Sequence, residues 1–228
     1  MVRKQTVNKK GSYLVNGRHS LAAEQYKTIR TNLEFASVNR KLRSFFVTSP
    51  GPGEGKSTTA ANLAVVFSEQ GKRVILIDAD MRKPTLHYTF SSENVVGLSN
   101  YLAGQKPSVT NVIQETGVKN LDIITSGPVP PNPAELLGGN SMKTLMNELK
   151  SAYDLIIFDT PPVLSVTDSQ LLAPYTEGVV LVVRSRKTRK EEANKAKEVL
   201  LHSRARILGA VLNGNEMGRR KKNYYYYA

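Results

Sequence analysis

Ser49-Pro50-Gly51-Pro52-Gly53-Glu54-Gly55-Lys56-Ser57 follows the apolar run Phe45-Phe46-Val47 and leads into a helix-like stretch from Thr58. Strand, glycine-rich turn, Lys-Ser, helix is the layout of a phosphate-binding loop. Glycines let the backbone curl so that successive N–H groups point inward at phosphate oxygens, and the following helix aims its positive end at the same anion. Lys56 would place a positive charge on the β- and γ-phosphates of ATP, and Ser57 would offer its hydroxyl to Mg²⁺. Gly51, Pro52, Gly53, Glu54, Gly55 and Thr58 complete the expected contacts to ATP. The strict spacing G-x-x-x-x-G-K-[ST] calls for glycine at position 50, where this chain carries Pro50 and places Gly51 one residue later. A surface turn rich in Gly and Pro is the alternative. The strand before, the helix after and two acidic strand ends downstream argue for the loop.

The first of those ends is Arg73-Val74-Ile75-Leu76-Ile77, running into Asp78-Ala79-Asp80-Met81-Arg82. An unbroken apolar run bounded by turn residues predicts a strand buried on both faces of a parallel sheet. Ligands bind beyond the C-terminal ends of such strands, which is where Asp78 and Asp80 are expected to lie. The second end is Leu155-Ile156-Ile157-Phe158-Asp159, stopped by Pro161-Pro162. Asp159 is placed to hold Mg²⁺ directly or through a water. One carboxylate is then left over near the γ-phosphate, able to take a proton from an attacking hydroxyl. Whether that base is Asp78 or Asp80 stays open, and Asp78 could equally touch the metal.

Further strands are expected at residues 45–49, 121–125, 178–183 and 207–212. Helices are expected at 21–36, 56–70, 140–151 and 188–203, with short helices in 97–116 and 168–174 and a rigid proline-rich loop at 126–133. The alternation predicts an α/β protein with a doubly wound, mainly parallel sheet of the P-loop NTPase type. Its expected organisation is a flexible basic lead-in at 1–19, a P-loop domain at 20–213 and a basic, tyrosine-rich tail at 214–228.

With 228 residues, 40% hydrophobic and 22% charged, the chain suits one soluble globular domain. No apolar run approaches the ~20 residues of a membrane-spanning helix. Arg3, Lys4, Lys9 and Lys10 precede no apolar stretch, which argues against a secretory signal. The absence of cysteine excludes disulfides and thiolate metal sites and fits the cytoplasm. His19, His87 and His202 are not at metal-ligand spacings. Lys and Arg total 32 against 19 for Asp and Glu, so the net charge of +13 favours an anionic partner: nucleotide, nucleic acid, the inner membrane face or an acidic protein segment. Much of the excess is local, as in Arg219-Arg220-Lys221-Lys222 just before Tyr224, Tyr225, Tyr226 and Tyr227. Four adjacent tyrosines cannot all be buried, since neighbours in a strand point to opposite faces. A solvated low-complexity end is one reading. A set of phenols offered to an active site is the other, with the left-over carboxylate as the matching base.

Taken together, these motifs resemble those of the bacterial tyrosine kinases (BY-kinases) that control capsule and exopolysaccharide synthesis, in particular the Firmicute type whose catalytic domain is a separate cytoplasmic chain. Gly53-Glu54-Gly55-Lys56-Ser57 resembles that family's Walker A, residues 74–82 its Walker A′, and residues 155–159 with Thr160-Pro161-Pro162 its Walker B. Gly127-Pro128-Val129-Pro130-Pro131-Asn132-Pro133 and the tyrosine cluster also match. Glu24-x-x-Lys27-x-x-Arg30 resembles the family's E-x-x-R-x-x-R ring-assembly helix, with Lys27 in place of the first arginine and its bidentate geometry.

The resemblance implies phosphoryl transfer from ATP with Mg²⁺, with Lys56, Asp78, Asp80 and Asp159 catalytic and Ser57, Asp78 and Asp159 around the metal. It implies autophosphorylation of Tyr224 to Tyr227 between subunits of a ring-shaped homo-oligomer, an octamer being one candidate, and further protein-tyrosine substrates. It also implies a transmembrane modulator of the polysaccharide co-polymerase type that brings the cytoplasmic kinase to the inner membrane face, and no DNA partner. Asn213 matches the place where related folds contact adenine, beside its plain reading as the Asn of an Asn-Gly turn. Two other functions are weighed against this one. A ParA-like partitioning ATPase would carry a signature lysine where Gly51 stands and would lack the tyrosines. A nucleotide-gated scaffold would be phosphorylated by another kinase.

Overall fold

The computed structural model describes residues 20–37, 41–106 and 108–214. The expected lead-in, the basic cluster and the four tyrosines fall outside the described residues. Unbroken apolar runs at Ser44–Thr48 (β1), Val74–Asp78 (β2), Leu155–Asp159 (β5) and Val179–Arg184 (β6) form the inner strands, and β1, β2 and β5 are buried at every position. Leu121–Ile124 (β4) and Ile207–Asn213 (β7) flank them, and Ile113–Glu115 (β3) adds one edge. The strand order is β3-β4-β2-β5-β1-β6-β7. Every pairing is parallel except β3 with β4. A parallel sheet needs crossover helices on its faces, and alternate side chains of each strand serve the two sides.

Phe45 and Val47 of β1 point into one core with Leu76, Ile157 and Val180. This face is covered by α1 (Leu21–Phe35) and α2 (Lys56–Ser68). Phe46 points the other way, with Ile77, Ile156, Phe158 and Leu181, against α4 (Leu98–Leu102), α6 (Asn140–Ala152) and α7 (Lys190–His202). Helix α2 is buried at nearly every position because the sheet lies on one side and α1 on the other, so it shows no polar stripe. Ser20 caps α1 by accepting a hydrogen bond from Ala23 N at 3.2 Å.

Four local expectations change. Residues 113–115, expected within short helices, form the antiparallel edge strand, paired Ile113 to Ile124. Three residues carry no periodicity of their own, so the neighbouring strand decides. Two helices arise in stretches not read as helical, α3 (Leu86–Phe90) and α5 (Pro133–Gly138). Proline at the first helical position is compatible with a helix start, so Pro133 closes the rigid loop and opens α5. Asp78 is the last residue of β2 rather than beyond it, while Asp80 does lie past the end. Within 168–174 the helix is a single 3-10 turn, Gln170–Leu172.

Candidate active site

The loop after β1 makes its two sharp turns at Gly53 and Gly55, whose φ values are +71° and +96°. Left-handed backbone suits glycine, so the steric demand falls at these positions and not at position 50, where Pro50 is buried without strain. Gly55 has a second constraint. A Cβ there would come within 1.9 Å of Asn213 Nδ2, which donates to Glu54 O at 2.9 Å. Asn213, at the end of β7, therefore packs against the phosphate loop itself.

Sheet order brings the three acids to the same place. In the β2–β5 register Asp78 stands directly beside Asp159, and β1, the strand that feeds the loop, runs along the other side of β5. Lys56, the first residue of α2, reaches into this cluster. Its Nζ is 2.8 Å from Asp80 Oδ2, 3.5 Å from Asp159 Oδ1 and 3.1 Å from Ser57 Oγ. Asp78 and Asp159 are fully buried, and Asp80 and Lys56 nearly so. Burial, then the Asp159 charge, push the Asp78 carboxyl up to about 8. Burial also holds Asp159 above the usual carboxylate range, although Lys56 pulls the other way. Desolvation works against the Lys56 ammonium, but Asp159 and Asp80 outweigh it and keep it above the ordinary lysine value. The site thus sets one ammonium against three acidic side chains, and burial raises Asp78 and Asp159 toward the protonated form because no second cation among the described residues lies beside them.

The carboxylates are not equivalent. Asp78 Oδ1 accepts from Asp80 N, and Oδ2 accepts from Thr85 N and Leu86 N at 3.1 Å each, so both oxygens shape the turn that leads into α3. Asp80 uses Oδ1 for Lys83 N and turns Oδ2 to Lys56. Asp159 Oδ2 is buried with no partner in hydrogen-bond geometry, while the Ser57 hydroxyl stands close enough to act on the carboxylate. Among the described residues no three His, Cys, Asp or Glu side chains form a ready-made metal cluster. Two acids and a hydroxyl suit Mg²⁺, which keeps waters and substrate phosphates among its ligands.

A family model described as "AAA domain" matches residues 47–192. Tyrosine-protein kinase YwqD of Bacillus subtilis is 55% identical over 207 residues, covering 91% of this chain and 87% of YwqD. The chain belongs to the bacterial tyrosine-protein kinases. Two solved structures agree. The kinase domain of Escherichia coli tyrosine kinase ETK superposes with a TM-score of 0.89 at 34% identity, covering 95% of this chain and 84% of that one. The chimerical protein CapA2B2 superposes with a TM-score of 0.84 at 40% identity, covering 89% and 92%.

One feature of the kinase gave no sequence signal beyond lying in a quoted motif. Arg82, at the end of the Walker A′ stretch, makes a forked pair with Asp168, Nε to Oδ2 at 2.8 Å and Nη2 to Oδ1 at 3.0 Å. Asp168 is fully buried and lies 86 positions away, in the segment after β5. The pair ties the two acid-bearing segments together. Arg82→Ala leaves a buried carboxylate unpaired and is expected to lower stability by roughly 2–3 kcal/mol in urea denaturation, less than for a fully buried pair because the arginine is half exposed. Adding Asp168→Asn should recover part of that loss; simple additivity would refute the coupling.

On α1, Lys27 pairs with Glu24 at 2.7 Å on the exposed side. Arg30 instead turns inward and donates to Val66 O of α2 at 2.6 Å. The three residues of the E-x-x-K-x-x-R helix therefore do not form one outward-facing set. Among the described residues no helix is long and apolar enough to cross a membrane.

Proposed function

We propose that this kinase transfers the γ-phosphoryl group of ATP to the tyrosines of its own C-terminal cluster, from one subunit to the next. The observation that carries the reading is the buried ammonium of Lys56 held between Asp80 and Asp159 at the mouth of the phosphate loop, with Asp159 Oδ2 lacking a partner in hydrogen-bond geometry. An array of three acids and one ammonium is completed by a divalent cation, and Ser57, Asp78 and Asp159 are the groups that would hold Mg²⁺. When bound, it would neutralise charge on the phosphates.

The chain's own groups account for the rest. Backbone N–H groups of residues 53–58 bind and orient the phosphates, and Lys56 exchanges a carboxylate partner for phosphate oxygens. Asp80 is tethered through one oxygen and free to turn the other, so it is placed to take the phenol proton. The phenol oxygen bonds to the γ-phosphorus, the bond to the bridging oxygen breaks, and ADP leaves with that electron pair. Asp78, held by three backbone N–H groups, keeps Asp80 in position and shares the acid site.

The same reading gives the kinase a transmembrane modulator that recruits it from the cytoplasm to the inner membrane face, and a role in capsule or exopolysaccharide synthesis and export. It also makes the ring a homo-oligomer that changes on phosphorylation, since each phosphate adds about −1.5 to −2 charges beside Arg219, Arg220, Lys221 and Lys222. Purified chain given Mg·ATP is expected to gain phosphate by intact mass, and a variant with Tyr224, Tyr225, Tyr226 and Tyr227 changed to Phe should gain nearly none. The initial rate per chain should rise with protein concentration. A rate independent of dilution would sink transfer between subunits, and ATP turnover with no phosphotyrosine would sink the autokinase reading.

A further inference from the structure

The carbonyl side of the phosphate loop is held from across the sheet. Three successive carbonyls meet three donors, one each. Lys187 Nζ donates to Pro52 O, Arg184 Nη1 to Gly53 O at 3.0 Å, and Asn213 Nδ2 to Glu54 O at 2.9 Å. Arg184 ends β6, Asn213 ends β7 and Lys187 lies in the turn between β6 and α7, so the donors are 131 to 159 positions away in sequence. The turn is itself braced. Arg184 N donates to Thr188 Oγ1 at 2.7 Å, Lys187 N and Thr188 N donate to Arg184 O, and Ser185 N donates to Asn213 O at 2.8 Å. The Thr188 hydroxyl also acts on the Glu54 carboxylate, whose Oε1 accepts Gly51 N at 3.1 Å.

A loop that turns several N–H groups toward one point has a physical problem when no anion is there, because the inward dipoles repel one another. Partners on the opposite, carbonyl side offset that cost, and cations do so best because they face the negative ends of the same peptide dipoles. We propose that Arg184 and Lys187 are positioning residues that keep the loop in its phosphate-binding curl before nucleotide arrives. Nucleotide affinity then depends on the turn at residues 184–188 as well as on the loop, since apparent affinity scales with the fraction of chains already in the competent form. The proposal rests on reading the loop as a nucleotide site. Both side chains belong to exposed residues, so their loss costs the fold little.

The test is calorimetric binding of Mg·ADP to the full chain, with melting of the nucleotide-free protein alongside. For the double variant Arg184→Ala/Lys187→Met, Kd for Mg·ADP should rise about tenfold, equivalent to about 1.4 kcal/mol. KM for ATP should rise by a similar factor with kcat nearly unchanged, and the melting temperature should stay close to that of wild type. Lys187→Arg, which keeps a charged donor at the Pro52 carbonyl, should bind almost as wild type does. Affinity within about twofold of wild type in the double variant would overturn the proposal, as would a loss that merely follows a large fall in melting temperature. Wild-type chain that binds no Mg·ADP would overturn the nucleotide reading and this inference together, whereas normal wild-type binding with an unaffected double variant would overturn the inference alone.

Discussion

Lys56→Met lowers autophosphorylation by at least about 10²-fold, the scale of losing a preorganised charge at the site of transfer. Lys56 is the ammonium within reach of Asp80 and Asp159, and its side chain is 10% exposed, so water cannot stand in for it. The substitution also acts on the fold, because it leaves those carboxylates without their cation in a dry site. The variant is therefore expected to be less stable than wild type at pH 8, and to recover as the pH falls and Asp159, already held above the usual carboxylate range by burial, takes up a proton. Mixing separates catalysis from acceptance. Lys56→Met retains its tyrosines, so it should be phosphorylated by an equimolar partner that keeps Lys56 and carries Phe at positions 224–227. Intact mass distinguishes the two chains. Phosphate on Lys56→Met incubated alone would show that the loop lysine is dispensable and remove the basis of the site.

Asp78→Asn becomes more stable relative to the metal-free wild type as pH rises from 4 to 8, while its activity is lowered. Asp78 is fully buried, and its carboxyl is pushed up to about 8 by burial and by Asp159. The unfolded chain has an ordinary carboxyl near 4. A folded-state value above the unfolded one means that the folded state holds the proton more tightly. The associated stability is fully present below about pH 4 and is lost progressively as pH rises through about 8. Asparagine does not titrate, and its amide oxygen can still accept from Thr85 N and Leu86 N, while its amide nitrogen would face the Asp80 N–H that Asp78 Oδ1 accepts in wild type, a cost that does not vary with pH. The stability of Asp78→Asn relative to wild type should therefore increase between pH 4 and pH 8, reaching on the order of a few kcal/mol. Urea titrations in a chelating buffer at several pH values would read this out. A difference that does not change with pH would mean that Asp78 is ionised throughout, with its charge met by the turn N–H groups and Lys56.

Lys56 and the acids around it differ in how far the sequence alone reveals them. Lys56 was evident because Gly-Lys-Ser after a strand is a local pattern with one physical reading. The roles of Asp78 and Asp80 were not, because both lie within three residues of the same strand end and only their partners distinguish them. The edge strand at 113–115 and the helices α3 and α5 were missed for a related reason: they are too short to show a period, and their neighbours decide their state. Glu24, Lys27 and Arg30 lie on α1, as the sequence pattern predicts. The inward turn of Arg30 to the Val66 carbonyl depends on α2 lying beneath it.

What the chain determined by itself is whatever depends on residues close in sequence. Unbroken apolar runs specify strands buried on both faces, glycines at 53 and 55 specify a curled loop, and an acid at a strand end is fixed to the sheet's C-terminal edge. Those features were enough for a P-loop fold with Lys56, Asp78, Asp80 and Asp159 expected at one edge of its sheet; the kinase reading came from the resemblance of its motifs to a known family. The tertiary structure alone decided which distant residues meet there. Strand order sets Asp78 against Asp159, carries Asp168 to Arg82 across 86 positions, and brings Arg184, Lys187 and Asn213 onto the loop carbonyls. Periodicity reports which face of a strand is buried, but not which strand lies beside it. Contacts between strand ends therefore become visible only once the sheet is assembled.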